Sequence, residues 1–533
     1  MKWRILGVAT AVACLTGPVT ASASADTATE AEAVHVLNRM AFGPRRGDVQ
    51  RVMKMGVDRY IDEQLHPDTI PMPAELADRQ AKLRQGQMSQ ADLITTYRKV
   101  IRAAMEDGTG GAPGGGLAMR NELYKKMEVR FGEQRLLPAI ESPRQLEEVM
   151  VDFWFNHFNV VRGEGLDHVL IGDYEDNAIR PYVMGRFRDL LGATAKHPAM
   201  SFYLDNWLSV SPTADSRARV AGTRKTTAGL NENYARELME LRTLGVDGGY
   251  SQADVTTLAR ILTGWSMDPR RAANGQAFRY FPALHDYGDK VWLGRAVPVK
   301  GKAEGEWALD VLASSPATAH HLSYELAQYF VADDPPSALV DRLTQRFLAT
   351  DGDIRAVLET LFKSPEFRDP ANFGGKFKTP YQYVVSVVRA GDVTVNNVRP
   401  LLAAMNRMGM PLYGCQSPDG YKNTREVWLN PDALAQRVSF ATGIGLGRSP
   451  LAMVIDDTTN DDPYAVGAPR EMDAAATDTQ ARAVTEEPPL KAEAVLDTLG
   501  SQISAQTRAK IASRTPSSLD ASLVLGSPDF MRR

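Results

Sequence analysis

Cysteine is scarce: Cys14 and Cys415 are the two thiols in 533 residues. If the first is removed with a leader, no internal disulfide can form and packing alone must hold the fold. A charge excess is also lacking, with 61 Lys and Arg against 65 Asp and Glu and a net charge of −4. General DNA or RNA binding needs a basic excess to release counterions, so nucleic acid is not an expected partner. No run beyond the first residues reaches the ~18 apolar residues of a bilayer span, so no transmembrane segment is expected. Several catalytic signatures are absent: H-E-x-x-H, C-x-x-C, G-x-S-x-G and the phosphate-binding G-x-x-x-x-G-K-[ST]. Zincin, α/β-hydrolase and P-loop chemistry are set aside with them. Gly443-Ile444-Gly445-Leu446-Gly447 follows a helical stretch instead of a strand, and reads as a helix terminator.

The beginning of the chain carries an export pattern. Lys2 and Arg4 precede the apolar run Ile5 to Leu15, and Ala23-Ser24-Ala25 offers small residues for cleavage after Ala25. Ala11-Val12-Ala13 is a poor approach to a lipidated Cys14, so a cleaved signal peptide over 1–25 is the stronger reading. A periplasmic or extracellular location is expected.

Apolar residues then recur at helical spacing. Val34 and Leu37 share one face, as do Val49, Val52 and Met53. The same pattern joins Leu146, Val149, Met150 and Phe153 across 143–158, and Leu322, Leu326, Tyr329 and Phe330 across 317–331. Ser142-Pro143 and His197-Pro198 read as N-cap and N1 pairs, and Ser251 with Asp254 as a capping box opening a helix over 252–263. Strand signal is limited to Phe278–Phe281 and Lys290–Leu293, read as a hairpin or β-loop near 278–293 inserted between helices. The expected fold is mostly α, a large multi-helix globular body spanning 26–455. Its flexible loops lie near 108–116 and 211–229, followed by an acidic insertion over 456–489 and C-terminal helices over 490–533 packing back. The insertion holds nine acids against Arg470 and Arg482, the composition of a solvated disordered segment.

Candidate chemistry lies between 152 and 290. On a helix, Asn233, Glu237 and Glu240 form a polar stripe beside Tyr234, Leu238 and Leu241. Two carboxylates one turn apart could hold a divalent metal or serve as acid and base. Arg236 instead could tie Glu232 and Glu240 into surface ion pairs, the blander alternative. His157 sits in Phe153-Trp154-Phe155-Asn156-His157-Phe158, where a core histidine bonded to backbone is the commoner outcome than a ligand. Asp205 and Asn206 precede the 211–229 loop as oxygen donors or as simple caps, and Asp286 after His285 suits a turn. Catalytic candidates are therefore Glu237, Glu240, His157 and Arg236. Binding candidates are Asp205, Asn206, Asn233, Arg260, His285 and Asp286, and metal candidates are His157, Asp205, Glu237 and Glu240.

A family likeness runs through Leu37-Asn38-Arg39, Phe42-Gly43-Pro44, the aromatic stretch 153–158, and Asp173-Tyr174 to Arg180-Pro181. It continues through His197-Pro198, 231–245, Gly249-Tyr250, Thr263-Gly264-Trp265, His285-Asp286, Pro418-Asp419-Gly420 and Ser527-Pro528-Asp529-Phe530. The chain resembles the large bacterial family known as domain of unknown function number eighteen hundred, over nearly all its length. The resemblance implies an exported, mostly helical protein, whose genes often neighbour those of an exported sulfatase-like family. No activity follows from it. Two readings stand: an accessory or binding protein in envelope or surface-polysaccharide processes with a sulfatase-like partner, or a metal-assisted hydrolase using the carboxylate and histidine cluster.

Overall fold

Apolar stripes at helical spacing build the frame of this chain, and local capping chemistry sets where its helices begin. The structure, a computed structural model, describes residues 28–107, 115–214, 229–271, 275–453 and 488–533. The leader expected over 1–25, most of 108–116 and 211–229, and nearly all of the acidic stretch 456–489 lie outside those residues. Helix α1 (Glu30–Met40) opens on a Thr29–Glu32 capping box and buries Val34 and Leu37. Helices α2 (Gln90–Asp107) and α3 (Gly115–Glu141) lie side by side. Their close approach requires Gly116, where a Cβ would stand 2.3 Å from the carbonyl carbon of Ala103.

Helix α4 (Gln145–His157) is buried on nearly every face, Gln145, Glu148 and His157 included, and runs through the core. Its start differs from the expected Ser142-Pro143 cap. Because α3 continues to Glu141, residues 142–144 are needed as an elbow, in which the Ser142 hydroxyl accepts the Arg144 N–H at 3.1 Å. Next come α5 (Asp167–Tyr174), α6 (Phe187–Lys196) and α7 (Pro198–Tyr203), the last capped by His197 and started by Pro198. After them α8 (Asn233–Glu240) and α9 (Gln252–Leu262) pack together, α9 opening on the Ser251–Asp254 capping box.

Strands are few among the described residues. β1 (Trp265–Met267) pairs antiparallel with β2 (Phe278–Tyr280), and β3 (Val291–Trp292) with β4 (Arg295–Ala296). The two stretches expected to form one hairpin thus belong to different two-stranded sheets. Leu293 and Gly294, at φ 49° and 72°, turn β3 back on β4 directly. Gly264, at φ +79°, lets the chain leave α9 past the Phe281 carbonyl and makes β1 the partner of β2.

Helices α10 (Lys302–Ala313), α11 (Pro316–Phe330) and α12 (Pro380–Ala390) complete the frame, and every residue of α12 is buried. Between α3, α4 and α12 lies a polar network: Arg135 reaches Glu175 at 2.6 Å, Asp152 at 2.8 Å and the Tyr381 hydroxyl at 3.2 Å. Burial opposes the Arg135 charge, but Glu175, Tyr381 and Asp152 outweigh it and raise its pKa well above the ordinary value. The last described residues pack back against α1 and the segment near 376. Asn38 of α1 donates to Gln502 at 3.2 Å, and Lys376 exchanges backbone hydrogen bonds with Arg533. Among the described residues no helix is long and apolar enough to cross a membrane.

Candidate functional site

The C-terminal end of α4 is where most of the singled-out residues meet. A helix end leaves carbonyls without partners, and here a buried arginine supplies them. The Arg242 guanidinium donates to the carbonyls of His157 and, at 3.2 Å, Asn159. Burial pulls the Arg242 pKa down, against the pull of Tyr174, Glu237, Tyr203 and Glu325.

His157 is buried beside it. Its Nδ1 lies 2.7 Å from Glu325 Oε2 and its Nε2 lies 3.1 Å from the Arg242 carbonyl. Both partners are acceptors, so each ring nitrogen faces an oxygen. Burial pushes the Glu325 carboxyl up, but His157, His321 and Arg242 together hold it below its usual range. His321, one turn earlier on α11, lies 3.7 Å from the other Glu325 oxygen and packs against Gly245.

Glu237 is half-buried one turn before Leu241, and no hydrogen bond to its carboxylate is formed among the described residues. Burial raises its pKa, Arg242 opposes the rise, and Glu240 and Asp419 add to it. Asp419 belongs to the loop 415–421, which the end of α4 holds by side-chain amides. Asn159 donates to the carbonyls of Cys415 and Ser417 at 3.0 and 2.8 Å, while Asn156 exchanges hydrogen bonds with the Tyr421 backbone. Gly420, at φ +72°, is required because a Cβ would stand 2.3 Å from the Asn156 carbonyl oxygen.

The remaining candidates lie in other surroundings. Arg236 donates to Gln252 at 2.7 Å and pairs loosely with Glu232 at 3.9 Å, leaving Glu240 to the solvent side. Asn233 is exposed at the start of α8, where its N–H is held by Asn231. Asp205 is exposed in a left-handed turn, whereas buried Asn206 donates to the Trp265 carbonyl at 3.1 Å and ties α7 to β1. Arg260 and Asp286 form a two-pronged pair at 3.1 Å, and the Asp286 carboxylate also accepts the Gly288 N–H at 2.9 Å, closing the turn. Lys290 bridges from this turn to buried Glu304 at 2.8 Å, and His285 meets Glu304 at 3.3 Å. These five residues lock the segment between β2 and β3 onto α9 and α10.

Sequence reasoning missed Glu325, Arg242 and Asp419 as neighbours of His157 and Glu237. Residue 325 stands 168 positions from His157, and no spacing rule links two such helices. Among the described residues, no group of three or more His, Cys, Asp or Glu side chains is placed to hold a metal ion.

The model of one family, described as a protein of unknown function (DUF1800), matches residues 35–532. The chain belongs to the DUF1800 family. No curated protein and no solved structure matches it. The DUF1800 match covers the α4 end, Glu237, the Asp286 turn and the 415–421 loop alike, so each is part of the family body.

Proposed function

We propose that this DUF1800 protein is an exported accessory or binding protein, acting in envelope or surface-polysaccharide processes with a sulfatase-like exported partner. The observation that carries the reading is the commitment of the reactive side chains. His157, Arg242, His285 and Asp286 each bond a carboxylate, a cation or the backbone, so none is left as a free base or nucleophile. In this reading a partner would cover Val246, which is 70% exposed and follows Gly245, against which His321 packs.

The competing reading, metal-assisted hydrolysis through Glu237, Glu240, Asp205 and His157, draws on the unpaired Glu237 carboxyl and its raised pKa. One experiment separates the two. The purified chain is assayed for bound divalent metal and used as bait for sulfatase-like proteins in envelope extracts, beside Val246→Glu and Glu237→Ala. The accessory reading expects partner retention that Val246→Glu abolishes, and no stoichiometric metal. Stoichiometric metal lost in Glu237→Ala, with no partner retained, would replace it by the hydrolase.

A further inference from the structure

A second polar region lies apart from the α4 end. It is a cleft of about 340 Å³ between α6, the segment 177–182, the start of α2 and the approach to β2. Small-ligand pockets begin at about 300 Å³, so the space suits a compact ligand. Its floor is preorganised. Buried Asp173 accepts from His197 Nε2 and Gln90 Nε2, both at 2.8 Å, and from Asn177 at 2.8 Å. The Gln90 side-chain Oε1 accepts the Ala277 N–H at 2.9 Å, which fixes the β1–β2 sheet to the same floor. His197 Nδ1 accepts the Ala199 N–H at 3.2 Å, which leaves Nε2 to face Asp173.

The cations of the cleft are already neutralised. Glu306 lies 2.9 Å from Arg188 and 2.8 Å from Lys196, and Asp310 lies 2.6 Å from Arg188. A phosphate or sulfate would have to displace those carboxylates. What the walls leave open is different: the Asp189 carboxylate, the Gln276 amide and the Tyr182 hydroxyl make no side-chain hydrogen bond among the described residues. Half-buried Phe278 also lines the space, its ring packed edge-on to Trp265 with the Lys302 ammonium over it. Open acceptors and donors with little net charge are the complement of a compact ring carrying hydroxyls.

We propose that this cleft binds a neutral saccharide of one or two rings, held by Asp189 and Gln276 above the Asp173–His197–Gln90 floor. The proposal rests on a region separate from the partner surface and stands whether or not the accessory reading does. The test is calorimetric titration of the folded chain with glucose, galactose, N-acetylglucosamine and cellobiose, with sodium sulfate as the anionic probe. Asp189→Ala and Gln276→Ala remove exposed groups with no internal side-chain bond, so both variants should keep the parent melting temperature. At least one sugar should bind saturably, and each substitution should weaken it about tenfold, the loss of one good hydrogen bond to a charged or amide group. Failure of all four sugars to bind, binding that survives both substitutions, or tighter binding of sulfate than of any sugar would overturn the proposal.

Discussion

Two histidines of this protein each face a carboxylate at nearly the same distance, yet their other ring nitrogens meet opposite partners. His157 stands 2.7 Å from Glu325 and His197 stands 2.8 Å from Asp173. The second nitrogen makes the difference. For His157 it meets the Arg242 carbonyl, an acceptor, whereas for His197 it meets the Ala199 N–H, a donor. The first ring therefore bridges two acceptors at the end of α4, and the second caps α7. A carboxylate beside a histidine does not by itself make an acid–base device; the group on the ring's far side decides.

The comparison can be broken most strongly at Arg242. Arg242→Met would leave the carbonyls of His157 and Asn159 unpaired at the end of α4. Its expected cost is about 4 kcal/mol of unfolding free energy in urea titration. A loss under about 1 kcal/mol would mean that the α4 end is not the structural lock described above.

His35 sharpens it, because this buried ring has no carboxylate at all. Its Nε2 donates to the Phe367 carbonyl at 2.8 Å, and the ring stacks on Phe373. Burial, with Arg39 adding to it, pushes the pKa down to about 3. Between pH 6.5 and about 3 the unfolded chain thus binds a proton here that the folded chain refuses, and stability falls as pH falls. Comparing the parent with His35→Phe, the parent should lose about 3 kcal/mol more on going from pH 6.5 to 4. Parallel pH curves for the two proteins would contradict the neutral His35. The smallest effect is expected at the surface of α8: Arg236→Ala should change stability by under about 0.5 kcal/mol, since its partners Gln252 and Glu232 remain solvated.

Local chemistry was readable in the amino-acid order and long-range pairing was not. The capping box at Ser251–Asp254, the His197-Pro198 helix start and the terminator around Gly445 depend on residues within one turn, and each is realised in the structure. The buried stripes on α4 and α11 follow from periodicity in the same way. Phe278–Tyr280 was legible as a strand, but its partner was not, because Trp265–Met267 arrives from the far side of a glycine turn. At the candidate site, His157 and Glu237 were visible as unusual residues. Their setting depended on Arg242 and Glu325, which reach them only through helix packing. Asp173 and His197 were visible as part of a family pattern, with no spacing to join them.

The seating of α1 against residues near 500 has a kinetic consequence. Asn38 and Gln502 are 464 positions apart, so this contact closes one of the longest possible loops in the chain. Such a closure is entropically costly and comes late, after more local helix pairs have condensed. Until then α1 can dock only against its near neighbours, the helices Asp48–Met55 and Val57–Leu65, and a partly folded chain leaves the side that meets residues near 500 uncovered. Refolding from denaturant is accordingly expected to be slow and concentration-sensitive, with aggregation competing at the final docking step.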